Sequence, residues 1–124
     1  MDRILIVDDE FLIRYTLEEG LKDRGYDAYS AATVEEGLEF VRKYHPGVLL
    51  LDNLLENSVG MDEIVNFKNA DEELQVIMMT AYGSVSQAVE ATKRGAYDYI
   101  LKPFDVDEID MLIKRCLEQK RNRD

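Results

Sequence analysis

The sequence is poor in cysteine, proline and long apolar runs. Its single cysteine, Cys116, cannot form a disulfide within the chain, and no second cysteine or histidine at ligand spacing is present to build a zinc site. Only two prolines are present, and no repeat or low-complexity segment interrupts the sequence. No apolar run approaches the roughly 20 residues of a membrane-spanning helix, and the run after Arg3 is too short for a signal peptide. The sequence therefore predicts a soluble, cytoplasmic protein with no membrane partner.

Basic residues are also scarce. The chain has 15 Lys and Arg against 26 Asp and Glu, and its formal net charge is -11 at pH 7. A surface of this charge repels phosphate backbones and anionic lipids, so we expect no direct nucleic acid binding by this segment. The 124 residues fit one domain, residues 1–124. Residues 118–124 are predicted to be a solvated tail, in which 119–124 begin a linker to an output domain.

Two apolar runs end abruptly on carboxylates. Residues 48–51 are all apolar and are followed by Asp52, and residues 4–7 are followed by Asp8 and Asp9. Uninterrupted apolar runs of this length are typical of strands covered on both faces, as in a parallel sheet. Because parallel strands end at one edge, where open α/β sheets bind ligands, three carboxylates are expected to meet there.

Strand and helix signals alternate along the rest of the chain. Strands are predicted at residues 3–7, 27–31, 48–51, 74–79 and 97–101, and helices at residues 10–24, 33–44, 61–69, 84–95 and 105–117. Capping-box patterns begin at Thr33, Ser84 and Asp105, and Gly25 and Gly95 are placed as helix stops. Residues 53–60 are predicted to form a polar loop. The alternation favours an α/β fold with a five-stranded parallel sheet and helices on both faces.

The predicted sheet edge combines groups suited to phosphoryl chemistry. Asp8, Asp9 and Asp52 would repel one another unless a cation neutralises them. Oxygen ligands of this kind suit Mg²⁺, which also bridges to phosphate oxygens. Lys102 would add a fixed positive charge and Thr80 a hydroxyl donor, since each follows a strand that ends at the same edge. Together they predict a phosphoryl-binding pocket in which a carboxylate can act as nucleophile.

These residues resemble the receiver domain of two-component response regulators over the whole chain. The resemblance rests on the residues at four strand ends: Asp8-Asp9, Asp52, Thr80-Ala81 and Lys102-Pro103. The stretch 80–104 is similar to receivers of the nitrogen-regulatory class, whose output is a sigma-54-activating ATPase. Single-domain sporulation relay receivers are similar as well. The resemblance implies a flavodoxin-like fold with strand order 2-1-3-4-5 and an output that regulates transcription.

The resemblance also implies a magnesium-dependent phosphoacceptor. Asp52 would accept phosphate from the phosphohistidine of a sensor histidine kinase or a phosphotransfer protein. Mg²⁺ would be bound directly by Asp9, mainly through water by Asp8, and also by Asp52 and the backbone carbonyl of Leu54. The domain would then be a self-phosphorylating and slowly self-dephosphorylating switch rather than a turnover enzyme.

The remaining residues carried over by the resemblance concern switching. Thr80 and Lys102 would hold the phosphoryl oxygens, and the Lys102–Pro103 bond is expected to be cis. Tyr99 would be the rotating switch aromatic, and we expect it to share a strand face with Tyr97. Phosphorylation would be read on the fourth helix, fifth strand and fifth helix, with a second copy of the chain as one partner. The chain has Glu56 where such receivers usually carry a proline.

Other interpretations of the same residues are weaker. A haloacid-dehalogenase-type phosphatase needs a second acid two residues after its nucleophile, where this chain has Leu54. A flavodoxin-like FMN carrier needs a Ser/Thr/Gly-rich loop after the first strand, and a dinucleotide fold needs a glycine fingerprint there, whereas residues 8–10 are all acidic. His45 could suggest a phosphohistidine, but beside Pro46 it is predicted to be a helix-terminal residue.

Overall fold

The computed structural model describes residues 2–55, 57–81 and 85–123. The strands are β1 (Arg3–Val7), β2 (Asp27–Ala31), β3 (Val48–Asp52), β4 (Leu54–Leu55), β5 (Ser58–Val59), β6 (Gln75–Thr80) and β7 (Asp98–Leu101). The helices are α1 (Phe11–Asp23), α2 (Val34–Tyr44), α3 (Gly60–Ala70), α4 (Val85–Lys93) and α5 (Val106–Arg123). Among these described helices, none combines the length and the apolar character that crossing a membrane requires.

The main sheet has five parallel strands in the order β2-β1-β3-β6-β7. These are the five predicted strands, so the predicted α/β fold and the strand order 2-1-3-4-5 are confirmed. The register brings the strand ends together: Val7 pairs with Ala31 on one side and with Leu51 on the other. The carboxyl ends of the central strands therefore lie side by side.

The core consists of two apolar layers, one on each face of the sheet. Alternate strand residues such as Ile6 and Leu50 face α1 and α5, while their neighbours Val7 and Leu51 face α2, α3 and α4. All five residues of β3 are buried. This explains why residues 48–51 of β3 are all apolar, since both faces of the strand pack against helices.

The helix ends largely follow the sequence signals. Asp105 Oδ1 accepts from Glu108 N at 2.9 Å and Asp105 N donates to Glu108 Oε1 at 3.4 Å, so this capping box is confirmed. Thr33 Oγ1 accepts from Glu36 N at 3.2 Å, which confirms Thr33 as the N-cap of α2. Gly25 and Gly95 follow α1 and α4 with φ of 91° and 111°. The capping box predicted at Ser84 lies outside the described residues. Helix α5 continues to Arg123, so most of the predicted solvated tail is helical.

Two sequence predictions are wrong in detail. The predicted polar loop after Asp52 contains the hairpin β4–β5, in which Leu54 pairs with Val59. Two-residue strands are too short to show a periodic pattern. Tyr97 precedes β7 and packs in the layer of α1 and α5, whereas Tyr99 packs in the opposite layer. The two tyrosines therefore do not share a face, because strand alternation begins only at Asp98.

Candidate functional site

Four strands deliver the predicted site residues to one edge of the sheet. Asp8 and Asp9 follow β1, Asp52 ends β3, Thr80 ends β6 and Lys102 follows β7. Asp8, Asp52 and Thr80 are buried, with 0%, 4% and 4% of their surface exposed. Carboxylate oxygens of Asp8, Asp9 and Asp52 all lie within 4.8 Å of one another. The parallel topology thus brings together acids that are up to 44 positions apart in the sequence. Asp9 is the most exposed member of the three.

Lys102 lies between the two buried acids. Its Nζ is 3.0 Å from Asp8 Oδ2 and 3.3 Å from Asp52 Oδ1, and Glu10 Oε1 is 3.9 Å away. Burial by itself would lower the pKa of Lys102, but the hydrogen bond to Asp8 and the charges of Asp8 and Asp52 outweigh it and raise the pKa. Lys102 is therefore a fixed cation at the centre of the cluster.

One ammonium group does not neutralise this many acids. The pKa of Asp52 is raised to about 6, because its burial disfavours the charged form and the nearby Asp8 carries the same charge, while Lys102 acts in the opposite direction. The remaining negative potential and the all-oxygen set of carboxylates suit a hard divalent cation such as Mg²⁺. Asp8, Asp9 and Asp52 are the residues that could hold it.

The backbone around Asp8 is held by groups that sequence reasoning missed. Asp8 Oδ1 accepts a hydrogen bond from Glu10 N at 2.9 Å, and Arg14 Nη1 donates to the Asp8 carbonyl oxygen at 2.8 Å. Arg14 lies one helical turn into α1, and only the packing of α1 against β1 brings it to Asp8. The orientation of the buried acid is therefore set by its local loop and by α1.

Asn53 was also missed. It follows Asp52 directly and is buried, with 8% of its surface exposed. Its carbonyl oxygen accepts from Gly60 N at 2.7 Å and its side-chain Oδ1 accepts from Met61 N at 3.0 Å. The sequence did contain one signal for Asn53, because a second polar residue directly follows Asp52 at the end of a buried strand.

The geometry agrees with the known proteins that this chain resembles. Residues 4–114 match the family model of the response regulator receiver domain. The chain belongs to this family.

Similar proteins include both single-domain and larger receivers. The chain is 38% identical over 121 residues to sporulation initiation phosphotransferase F of Bacillus subtilis (strain 168), and the match covers 98% of each protein. It is 37% identical over 122 residues to the nitrogen assimilation regulatory protein NtrX of Azorhizobium caulinodans, covering 97% of this chain but 27% of NtrX. The solution structure of the beryllofluoride-activated NtrC4 receiver domain dimer has a TM-score of 0.91 and 34% identity, covering 97% of this chain and 99% of that one. The predicted likeness to nitrogen-regulatory receivers is confirmed.

The residues to which the resemblance assigns switching roles lie on β6 and β7 and directly after β7. Thr80 is buried, and its carbonyl oxygen accepts from Lys102 N at 2.7 Å. Tyr99 is partly buried and packs in the layer that contains Ala91. The Lys102–Pro103 peptide bond is cis. Leu54 N lies 3.4 Å from Asp52 Oδ1, which places the Leu54 peptide next to the proposed acceptor.

His45 lies at the other end of the receiver's sheet. It ends α2 with φ of 48°, and its Nδ1 is 3.2 Å from Asp71 Oδ2. Because His45 precedes β3, it lies at the amino ends of the parallel strands, away from the acidic cluster. Its prediction as a helix-terminal residue is confirmed.

Proposed function

We propose that this receiver accepts a phosphoryl group on Asp52 from the phosphohistidine of a sensor histidine kinase or phosphotransfer protein, with Mg²⁺, in the cytoplasm. The observation that carries the proposal is the position of Lys102 Nζ between Asp8 and Asp52 inside a cluster of three acids. The acids can hold a cation and the lysine can pair with a phosphoryl oxygen. A purely structural acid at a strand end requires neither partner.

The chemistry follows from the charges of the site. A carboxylate oxygen of Asp52 attacks phosphorus, the P–N bond breaks, and the electron pair returns to the histidine ring of the donor. Although its pKa is raised to about 6, Asp52 is mostly ionised at neutral pH and can act as the nucleophile. Lys102 and the Thr80 hydroxyl would hold the phosphoryl oxygens of the product. When bound, Mg²⁺ at Asp8, Asp9, Asp52 and the Leu54 carbonyl supplies charge neutralisation for the transfer.

The new negative charge is proposed to act through Thr80 and Tyr99. A shift of the Thr80 hydroxyl towards the phosphoryl group vacates space that Tyr99 can fill. The inward position of Tyr99 then shifts the equilibrium between two packing arrangements of α4, β7 and α5. These three elements carry exposed apolar side chains, including Val89, Leu101 and Met111. They are suited to contact a partner or a second copy of the chain.

The output is proposed to be transcription regulation, because longer relatives of this chain include the DNA-binding transcriptional regulator NtrC of Escherichia coli (strain K12). The alternative is a stand-alone phosphorelay receiver, because the chain is 38% identical to sporulation initiation phosphotransferase F. In either case the domain is a switch that modifies itself. Turnover of an added phosphomonoester would instead favour a haloacid-dehalogenase-like phosphatase, although Leu54 stands where that enzyme class needs an acid.

The acceptor is tested by incubating the chain with acetyl phosphate and Mg²⁺ and measuring the mass of the intact protein. Wild type is expected to gain one phosphoryl group, and Asp52→Asn is expected to gain none. Equal labelling of the two proteins would contradict the proposal.

The switch is tested by amide chemical shifts on adding beryllofluoride and Mg²⁺. In wild type the shifts should extend into α4, β7 and α5, and in Thr80→Ala they should stay near Asp52. Full propagation without the Thr80 hydroxyl would refute this coupling.

A further inference from the structure

We infer that Asn53 is a positioning residue for the phosphoacceptor site, which fixes the peptide after Asp52 by capping helix α3. The inference rests on the function proposed above and adds a residue to its machinery.

Helix α3 lacks a cap of its own. Val59 occupies the N-cap position and its side chain makes no capping hydrogen bond, since it has no acceptor. The first amides of a helix have no partner within the helix and must find one elsewhere. Asn53 supplies two acceptors from outside the helix: its carbonyl oxygen to Gly60 N at 2.7 Å, and its side-chain Oδ1 to Met61 N at 3.0 Å.

Asn53 is itself held by the sheet. Its amide donates to the Met79 carbonyl oxygen at 2.9 Å, which extends the pairing of β3 with β6 by one residue beyond Asp52. Gly60 packs directly against the same backbone, because a Cβ at this position would overlap the carbonyl oxygen of Asp52. The end of β3 and the start of α3 therefore form one tightly packed unit.

This unit also closes the hairpin that carries Leu54. Leu54 pairs with Val59 in β4–β5, and the bond from Gly60 N to the Asn53 carbonyl oxygen is the next rung of the same ladder. Leu54 contributes its backbone amide, 3.4 Å from Asp52 Oδ1, and the backbone carbonyl proposed as a metal ligand. Loss of the Asn53 side-chain bond would thus loosen the backbone of Leu54, whose amide faces the acceptor and whose carbonyl is the proposed metal ligand.

A purely structural cap would affect stability only, so the test measures Mg²⁺ affinity. Asn53→Leu keeps the approximate size of the side chain but removes the acceptor. Asn53→Asp keeps an acceptor oxygen for Met61 N and tests rescue. Thr33→Ala is the matched control, because Thr33 Oγ1 caps α2 through Glu36 N at 3.2 Å and its hydrogen bonds go to Glu36 rather than to the acidic cluster.

The dissociation constant for Mg²⁺ is measured from amide shifts at pH 7, together with hydrogen exchange of the Met61 amide in metal-free protein. For Asn53→Leu we expect about tenfold weaker Mg²⁺ binding, as for other residues that support a metal ligand, and faster exchange at Met61. Asn53→Asp should bind Mg²⁺ no more weakly than wild type and keep Met61 protected. Thr33→Ala should keep the wild-type affinity.

Two results would overturn the inference while leaving the proposed function intact: wild-type Mg²⁺ affinity in Asn53→Leu, or equal weakening in Thr33→Ala. Failure of wild type to bind Mg²⁺ at all would overturn both together. If Asn53→Leu does not fold, Asn53→Ala adds no bulk to the hairpin and takes its place with the same expectation.

Discussion

Asp52 and Asp110 are both buried acids, but their surroundings differ. Asp110, with 9% of its surface exposed, accepts hydrogen bonds from Tyr26 OH at 2.6 Å and Lys114 Nζ at 3.1 Å. Burial by itself would raise the pKa of Asp110, but these hydrogen bonds and nearby cations lower it. The pKa of Asp52 is raised instead, since one lysine is shared among several acids. Asp110, whose charge is balanced by hydrogen bonds and cations, stabilises the fold. Asp52 keeps an excess of negative charge around it, which favours binding of a cation.

The largest effects on stability are expected when Asp52 or Asp110 is replaced by asparagine, which removes the charge of the side chain and keeps its shape. In metal-free buffer at pH 7, Asp52→Asn should stabilise the protein by up to about 3 kcal/mol, because a buried carboxylate whose pKa is raised from 3.8 to about 6 no longer has to ionise in the folded state. Asp110→Asn should destabilise it by about 1–2 kcal/mol, since a charged acceptor is lost. Urea unfolding measures both values. Changes of the same sign in the two variants would remove the distinction.

The pH dependence of stability should differ in direction between the two acids. The folded pKa of Asp52 is about 6 against an ordinary value of 3.8, so its favourable contribution is complete below pH 3.8 and is lost as the pH rises through about 6. The folded pKa of Asp110 is depressed, so its contribution is present above pH 3.8 and is lost as the pH falls further. Unfolding free energies of metal-free wild type should therefore decline between pH 4 and 7 relative to Asp52→Asn. Parallel curves for the two proteins would be inconsistent with a raised pKa.

Mg²⁺ should stabilise the protein through the site at Asp52 and not through the surroundings of Asp110. At a concentration ten times its dissociation constant, Mg²⁺ should stabilise wild type by about 1.4 kcal/mol through mass action. Asp110→Asn should gain as much, and Asp52→Asn less, because it has lost a ligand and a charge. Thermal melts with and without Mg²⁺ give the comparison. An unchanged midpoint in wild type would count against the metal site.

The smallest effect is expected from Tyr26→Phe, which removes the hydroxyl bonded to Asp110. The loss should be about 1 kcal/mol, because Lys114 and Arg24 still face the carboxylate. Mg²⁺ affinity and labelling by acetyl phosphate should not change. That result would mean that Asp110 and its partners Tyr26, Lys114 and Arg24 act on stability and not on the phosphoacceptor site. Altered labelling at unchanged stability would mean that the two clusters are coupled.

The predictable part of the site lies at strand ends. Asp8, Asp52, Thr80 and Lys102 could be assigned to one edge from the sequence because each follows an apolar run, and parallel strands end together. The hairpin β4–β5 could not, since its two-residue strands leave no periodic pattern. The layer in which Tyr97 packs could not be predicted either, because Tyr97 precedes β7 and does not follow the alternation of side chains between the two faces of the sheet.

The sequence by itself determined the order of strands and helices, the buried central strand and the chemical groups at its end, because these depend on local apolar periodicity and capping. Only the tertiary structure decided which distant groups became partners. Tyr26 reaches Asp110 across 84 positions, and Lys102 reaches Asp8 across 94. Asn53 caps a helix to which it does not belong. Such pairings arise from the packing of whole elements, and that packing sets the burial and the neighbouring charges on which every pKa in the site depends.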